Sequence, residues 1–171
     1  PVSRTKNILQ TKNYKNDTFN FMFYGFIRKY KGLDYLLDAF SKINNKNVRL
    51  NILGEIWYKD KKYWENKIHN LNIKNQVNFR SEYTDEEVLL EHMEKSDCFV
   101  LPYEKVSSSG VFALAVNYKK PFIMSDIGIF NKINQKYKMG HVFENRNVDK
   151  LLNAMLKVID EKNQNHKYDF D

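Results

Sequence analysis

Phe19–Phe40 reads FNFMFYGFIRKYKGLDYLLDAF, and this stretch decides the fold. Phe21-Met22-Phe23-Tyr24 is a short apolar aromatic run that reads as a buried strand. From Leu33 onward, Leu33, Leu36, Leu37 and Phe40 fall at helical spacing, with Asp34, Asp38 and Ser41 on the opposite side. Between the two runs lies Gly25-Phe26-Ile27-Arg28-Lys29-Tyr30-Lys31-Gly32, a loop bounded by glycines that carries Arg28, Lys29 and Lys31. A strand, a basic turn and a helix N-terminus in that order form an anion site, because free N–H groups and the helix dipole point outward there.

Upstream, residues 1–18 are polar and read as a lead-in or linker. Downstream, Asn45-Lys46-Asn47 is a turn, and Val48–Gly54 alternates apolar with polar residues as a second strand does. Glu55–Asn70 is predicted to be a helix, with Trp57, Tyr63, Trp64, Ile68 and Leu71 facing inward. Val77-Asn78-Phe79 is a third strand. Thr84-Asp85-Glu86-Glu87 has capping-box form and should open a helix carrying Val88, Leu89 and Met93. Cys98–Leu101 is a fourth strand, closed by Pro102, which cannot donate to a ladder. Ser107-Ser108-Ser109-Gly110 then precedes Val111–Val116, an apolar helix expected to be buried. Pro121–Met124 reads as a fifth strand, followed by a loop at Ser125–Gly128. Gly140–Phe143 reads as a sixth, and Val148–Lys162 as an amphipathic closing helix. Residues 163–171 form a polar tail, expected to be loose.

Strand and helix alternate along the chain, which predicts an α/β domain over residues 19–162. It would be a doubly wound parallel sheet of about six strands, with helices on both faces and right-handed crossovers. At 171 residues the chain suits one domain with a real core, and 42% hydrophobic content argues against general disorder. A net charge of +7 predicts attraction to phosphates, polyanions or acidic membrane surfaces, or simply a solvated Lys-rich surface. Cys98 lies in an apolar strand and cannot build a disulfide framework alone, which fits a reducing compartment. No apolar run approaches the roughly 20 residues of a membrane span, and no signal peptide is visible. Opening on Pro1, the chain reads as an excised or processed piece.

In such a sheet ligands bind beyond the carboxyl ends of the strands, where strand order reverses. For the order 3-2-1-4-5-6 that point lies between strands 1 and 4, so the two relevant loops are Gly25–Gly32 and Ser107–Gly110. Arg28 offers a planar fork suited to bidentate phosphate contact, and Lys31 a mobile point charge. Ser108 and Ser109 bring hydroxyls, and Gly110 allows close backbone approach at a helix N-terminus. Taken singly, a basic loop is usually solvated and serines before a helix are usually caps. Together at the switch point they read as two cradles for one diphosphate. Neither G-x-x-x-x-G-K-[ST] nor G-x-G-x-x-G is present, and no acidic cluster follows strand 1. His69, His92, His141 and His166 show no metal-ligand spacing and read as structural. Asp126 reads as a turn or cap residue, and no Ser/His/Asp triad can be assembled.

These residues resemble the C-terminal, donor-binding domain of GT-B glycosyltransferases, family 4 or group 1. The resemblance is carried by FYGFIRKYKGLDYLLDAF, VRLNILGE, VNFRSEYTDEEVLLEHMEKSDCFVLPY, SSSGVFALAVNYKKPFIMSDIG and VDKLLNAMLKVI, which are colinear with the family over about Phe21–Ile159. It implies a Rossmann-like fold, one half of a two-domain enzyme. It implies that Arg28 and Lys31 meet the donor diphosphate as the catalytic pair, in the loop bounded by Gly25 and Gly32. It further implies that Ser81, Glu82 and Tyr83 hold the base. Gly54 and Glu55 would line the donor pocket, and Ser107, Ser108, Ser109, Gly110 and Val111 would face the phosphates. Many members carry two glutamates across the fourth-strand loop and its helix, contacting sugar and ribose hydroxyls. Counted from Gly110, those positions fall near Ser107 and near Leu114 or Ala115, so neither glutamate is present; Glu104 is the candidate to substitute in part.

The resemblance implies transfer of a sugar, with retention, from a nucleoside-diphosphate sugar to a glycan or lipid-linked acceptor. Polysaccharide or lipopolysaccharide biosynthesis is the setting it suggests, with no metal and no cofactor beyond that substrate. The acceptor would engage a missing N-terminal domain, so this piece alone should not turn over. A cytoplasmic location is expected, with peripheral contact at the inner face of the membrane and no nucleic-acid partner. The other reading is a non-catalytic basic α/β module that binds nucleic acid or an anionic membrane, which would show steep salt dependence.

Overall fold

The computed structural model describes residues 18–105, 110–168 and 170, with the backbone alone of residues 114 and 115. The lead-in therefore lies outside the described residues except for Thr18, as do Ser107, Ser108 and Ser109.

Strand β1 (Phe19–Tyr24) is followed by a single 3-10 turn at Lys29–Lys31, then α1 (Leu33–Phe40), β2 (Val48–Leu53), α2 (Lys61–Asn70) and β3 (Val77–Arg80). The second half runs α3 (Glu86–Lys95), β4 (Cys98–Leu101), α4 (Gly110–Asn117), β5 (Phe122–Ser125), α5 (Gly128–Tyr137), β6 (Gly140–Phe143) and α6 (Val148–Asn163). All six strands form one parallel sheet in the order β3-β2-β1-β4-β5-β6, as the alternation of elements predicted. Chain order reverses between β1 and β4, which are hydrogen-bonded neighbours through the Phe21–Cys98 register.

Side-chain alternation divides the core into two layers. Phe21, Phe23, Leu50, Ile52, Cys98 and Val100 face α1, α2 and α6. Met22, Phe99, Leu101, Phe122 and Met124 face α3, α4 and α5. Central strands must be apolar on both sides, which is why Cys98–Leu101 and Phe122–Ser125 are buried throughout. In β2, Arg49 and Asn51 fall on the less covered face, where Asn51 Oδ1 accepts from Asn78 Nδ2 of β3 at 3.1 Å.

Local structure departs from expectation in five places. Helix α2 begins at Lys61 rather than Glu55, because Asp60 caps it by accepting from the Tyr63 N–H at 2.7 Å. Residues 55–57 instead extend β2, so Trp57 is 57% exposed and Tyr63 also reaches solvent, neither belonging to an inward face. The capping box does not form: Asp85 stands at the N-cap of α3 without a side-chain cap bond, and the Thr84 hydroxyl donates to the Glu82 carbonyl at 3.4 Å. Helix α4 is not buried all round, since only its inner side meets the sheet: Val111 is buried and Phe112 stacks on Phe122, while Gly110, Ala113 and Asn117 are exposed. Helix α5, unforeseen amid Asn131, Lys132, Asn134 and Gln135, is anchored by the buried Phe130. The tail is not loose over its described part. His166 N–H donates to Glu161 O at 2.9 Å, the Tyr168 hydroxyl donates to the Glu161 carboxylate, and Phe170 packs on the second core layer.

Candidate functional site

The site grows from the way β1 and β2 leave the sheet. Gly25 N–H donates to Leu53 O at 3.0 Å, and a Cβ at Gly54 would fall 2.0 Å from the Gly25 carbonyl oxygen. Only glycine permits that approach of two backbones. Beyond the crossing, Ile27 and Ile56 pair as a parallel bridge: Ile27 N–H donates to Glu55 O at 2.8 Å and Trp57 N–H to Ile27 O at 2.9 Å. Ile27 is fully buried, so period-two alternation turns Phe26 and Arg28 outward together. The Arg28 guanidinium lies 4.7 Å from the Trp57 ring centre and 5.6 Å from that of Phe26.

After the turn at Lys29–Lys31 the chain passes Gly32 at φ 71°, where a Cβ would meet the Pro102 carbonyl oxygen at 1.9 Å. The loop is thus seated on the end of β4. Lys31 Nζ stands 3.9 Å from the Tyr103 ring centre. A Cβ at Gly25 would have Lys31 Nζ at 4.0 Å and Val111 Cγ2 at 3.6 Å, so the bare Gly25 backbone separates Lys31 from the first turn of α4. Gly110 opens that helix with nothing within 4 Å of where its Cβ would be. The Gly25–Gly32 loop thus meets the first turn of α4 through Val111, while Ser107, Ser108 and Ser109 of the second loop lie outside the described residues.

Among the described residues neither Arg28 nor Lys31 forms an ion pair, and Arg28 Nε is buried without a hydrogen-bond partner. Burial first, and the Arg28 charge second, lower the Lys31 ammonium to about 8. Arg28 is close enough to act on Lys31 electrostatically, and two cations so placed, one partly desolvated, favour an anion nearby.

The loop after β3 lines a recess of its own. Ser81, Glu82 and Tyr83 line a shallow recess with Lys61 and Asp85, and Glu82 is paired with Lys61 at 3.3 Å. Tyr83 is 86% exposed. It reaches far enough toward the end of β1 that, after burial, it is what raises the Tyr24 hydroxyl.

A family model described as Glycosyl transferases group 1 matches residues 5–169. The chain belongs to this family. Comparison with curated proteins finds no match. Among solved structures, the sucrose-phosphate synthase of Thermosynechococcus elongatus superposes with a TM-score of 0.74 at 19% identity, over 87% of this chain and 38% of that one. The C-terminal domain of a glycosyl transferase group 1 family protein from Francisella tularensis gives 0.76 at 18%, over 87% of this chain and 79% of that one. WaaG, a glycosyltransferase involved in lipopolysaccharide biosynthesis, gives 0.74 at 17%, over 87% and 40%. At these identities the structural likeness speaks for the fold, one Rossmann-like α/β unit. The chain spans about two fifths of the synthase and of WaaG.

Within this group 1 domain, Glu104 is already engaged. Its Oε1 accepts from the Tyr35 hydroxyl at 3.0 Å and its Oε2 from Arg146 at 2.9 Å. Its N–H donates to Tyr30 O at 2.7 Å and its carbonyl accepts from Asn145 Nδ2 at 3.3 Å. The residue ties the β1 loop, α1 and the β6–α6 loop to β4, and both carboxylate oxygens are committed. Asp126 accepts from the Asn145 N–H at 2.7 Å, so in place of the turn or cap role expected of it, it ties the loop after β5 to the loop after β6. Of the two positions where family members carry glutamates, Ser107 lies outside the described residues, and the side chains at Leu114 and Ala115 do too. Sequence reasoning missed Trp57, Phe26 and Tyr103 as neighbours of the cations. The alternation Phe26-Ile27-Arg28 was the one available signal.

Proposed function

We propose that this chain is the donor-binding half of a glycosyltransferase that moves a sugar from a nucleoside-diphosphate sugar to a glycan or lipid-linked acceptor. One observation carries the reading: Arg28 and Lys31, neither paired with a carboxylate among the described residues, stand on the loop after β1 at the strand-order reversal, with Lys31 and the first turn of α4 both next to Gly25. In the transfer the bond between the sugar C1 and the diphosphate oxygen breaks, and the acceptor oxygen forms the new bond to C1 and loses its proton. Negative charge therefore develops on the departing diphosphate. The Arg28 fork and the Lys31 ammonium, with the N–H groups at Gly110 and Val111, are preorganised for that charge. Ser81, Glu82 and Tyr83 would flank the base, and Gly54 and Glu55 the sugar side. The acceptor would enter from a second domain, and the basic surface would favour anionic lipid nearby.

Isothermal titration of the chain with UDP, GDP and ADP tests this reading. One of them is expected to bind at one equivalent, and at about a hundred times its Kd to stabilise the fold by about 2.7 kcal/mol. Arg28→Ala and Lys31→Ala should each weaken that binding by about tenfold or more, with little change in Tm. Wild-type affinity in both variants would remove the diphosphate assignment.

A further inference from the structure

We infer that Trp57, supported by Phe26, is a positioning residue that holds the Arg28 guanidinium against its ring so that the terminal N–H groups stay free for a diphosphate. The inference rests on the donor-site reading above. Trp57 and Phe26 are 57% and 47% exposed, and neither joins a core layer, whereas Ile56 and Tyr58 on either side of Trp57 do. Their rings are 5.0 Å apart and inclined at 57°. Large apolar side chains kept at the surface, with no part in the core, call for another reason to be there.

The reason is Arg28. Its guanidinium sits 4.7 Å from the Trp57 ring centre and 5.6 Å from that of Phe26, while Nε is buried with no hydrogen-bond partner. Among the described residues no ion pair holds the planar group, and the rings are what it rests against. A carboxylate could orient it equally well, but would occupy the in-plane donors and cancel the charge. Contact with a ring consumes no N–H donor and leaves the terminal groups of the guanidinium available. Trp57 is itself held in register: its N–H donates to Ile27 O at 2.9 Å and Ile27 N–H to Glu55 O at 2.8 Å. The ring and the guanidinium thus stand on neighbouring strand extensions, one residue beyond their bridge on each side. Arg28 would meet its anion already oriented, and less conformational freedom would be lost on binding.

Inorganic pyrophosphate, UDP and GDP titrated into wild type, Trp57→Ala, Trp57→Phe, Arg28→Ala and the Arg28→Ala/Trp57→Ala double variant test the assignment. For the best-binding of these probes, Trp57→Ala should weaken affinity about tenfold and Trp57→Phe should restore it to within about threefold, since a phenyl ring also stacks. All variants should keep the wild-type Tm within a few degrees. In the Arg28→Ala background, removing Trp57 should cost nothing further. Binding in wild type should also shift the emission of the exposed Trp57, a change lost in Trp57→Phe, while the 1% exposed Trp64 stays silent. Wild-type binding with an unaffected Trp57→Ala, or additive losses in the double variant, would overturn the positioning role alone. No binding of any probe by wild type would overturn the donor site and this role together.

Discussion

Lys31 is where the chemistry of the site can be read from a proton. Its ammonium is lowered to about 8, by burial and then by Arg28, while an unfolded lysine titrates near 10.5. A diphosphate alongside would pull that value back up, so the protonated form is the one that binds. Affinity for the bound nucleoside diphosphate should therefore be flat below about pH 7.5 and fall up to tenfold per pH unit above 8. Calorimetry at pH 8.5 in buffers of different ionisation enthalpy should record proton uptake, and Lys31→Met should abolish both effects. The sign for folding is opposite. Between pH 8 and about 10.5 the unfolded chain binds the extra proton, so the Lys31 contribution to stability rises with pH there. Gly32 makes a steric claim at the same scale. With φ 71° and a Cβ site 1.9 Å from the Pro102 oxygen, Gly32→Ala should cost about 2–4 kcal/mol in urea denaturation. A loss below about 1 kcal/mol would mean that the loop is not seated on β4. Arg28 and Lys31 were legible because cations between two glycines at a strand end have few structural duties. Trp57 was not: its spacing to Trp64 and Ile68 mimics a helical face, and only the bridge from Ile27 to Ile56, invisible in sequence, turns it outward.

At the scale of elements, strands and the more apolar helices were legible because their patterning is local. β1, β2 and α1 carry the alternation and spacing that their burial requires. Helix starts were less so, because the deciding contacts were between equally plausible polar residues: Asp60 rather than Glu55 caps α2, and Asp85 rather than Thr84 stands before α3. Glu104 shows why long-range roles stay hidden, since Tyr35 and Arg146 lie 69 and 42 residues away in the chain. Its carboxylate adds a polar tie between α1 and the loop before α6, elements that also share the first core layer. Arg146 is 62% exposed, so that ion pair adds little, and the Tyr35 bond with the loop contacts carries most of the effect. Glu104→Ala should cost about 1–2 kcal/mol, and Glu104→Gln, which keeps an acceptor for Tyr35, should recover most of it. Donor affinity should change less than about threefold in Glu104→Gln. A collapse of affinity without loss of stability would instead return Glu104 to ribose recognition.

For the whole molecule, the issue is whether +7 marks one track for a polyanion or a scatter of separate charges. The family match to residues 5–169 reaches beyond the core domain into both polar ends. The tail that folds back forms a second recess near the starts of β1 and β5, lined by Lys120, Lys162 and Lys167. Lys162 there is bonded to Asp97 at 2.8 Å, and Lys120 donates to the Glu94 carbonyl at 2.9 Å. Arg28, Lys29, Lys31 and Lys59 stand on loops at the opposite, carboxyl end of the strands. The charge of these seven residues is thus divided between two ends of the sheet, and at the amino end it is partly tied up. A nucleic acid would need it along one continuous face. A site that uses chiefly Arg28 and Lys31 should lose less than about tenfold in nucleoside-diphosphate affinity between about 50 and 200 mM salt, because few charges act within a Debye length of about 10 Å. A polyanion neutralised by six or more lysines would lose about a thousandfold over the same range. Parallel titrations with UDP or GDP and with a single-stranded oligonucleotide measure both slopes on one protein. Saturable, salt-tolerant diphosphate binding beside weak, steeply salt-dependent oligonucleotide binding is the expected pair. Tight oligonucleotide binding that competes with the diphosphate would make the basic surface, rather than Arg28 and Lys31 alone, the functional feature of this chain.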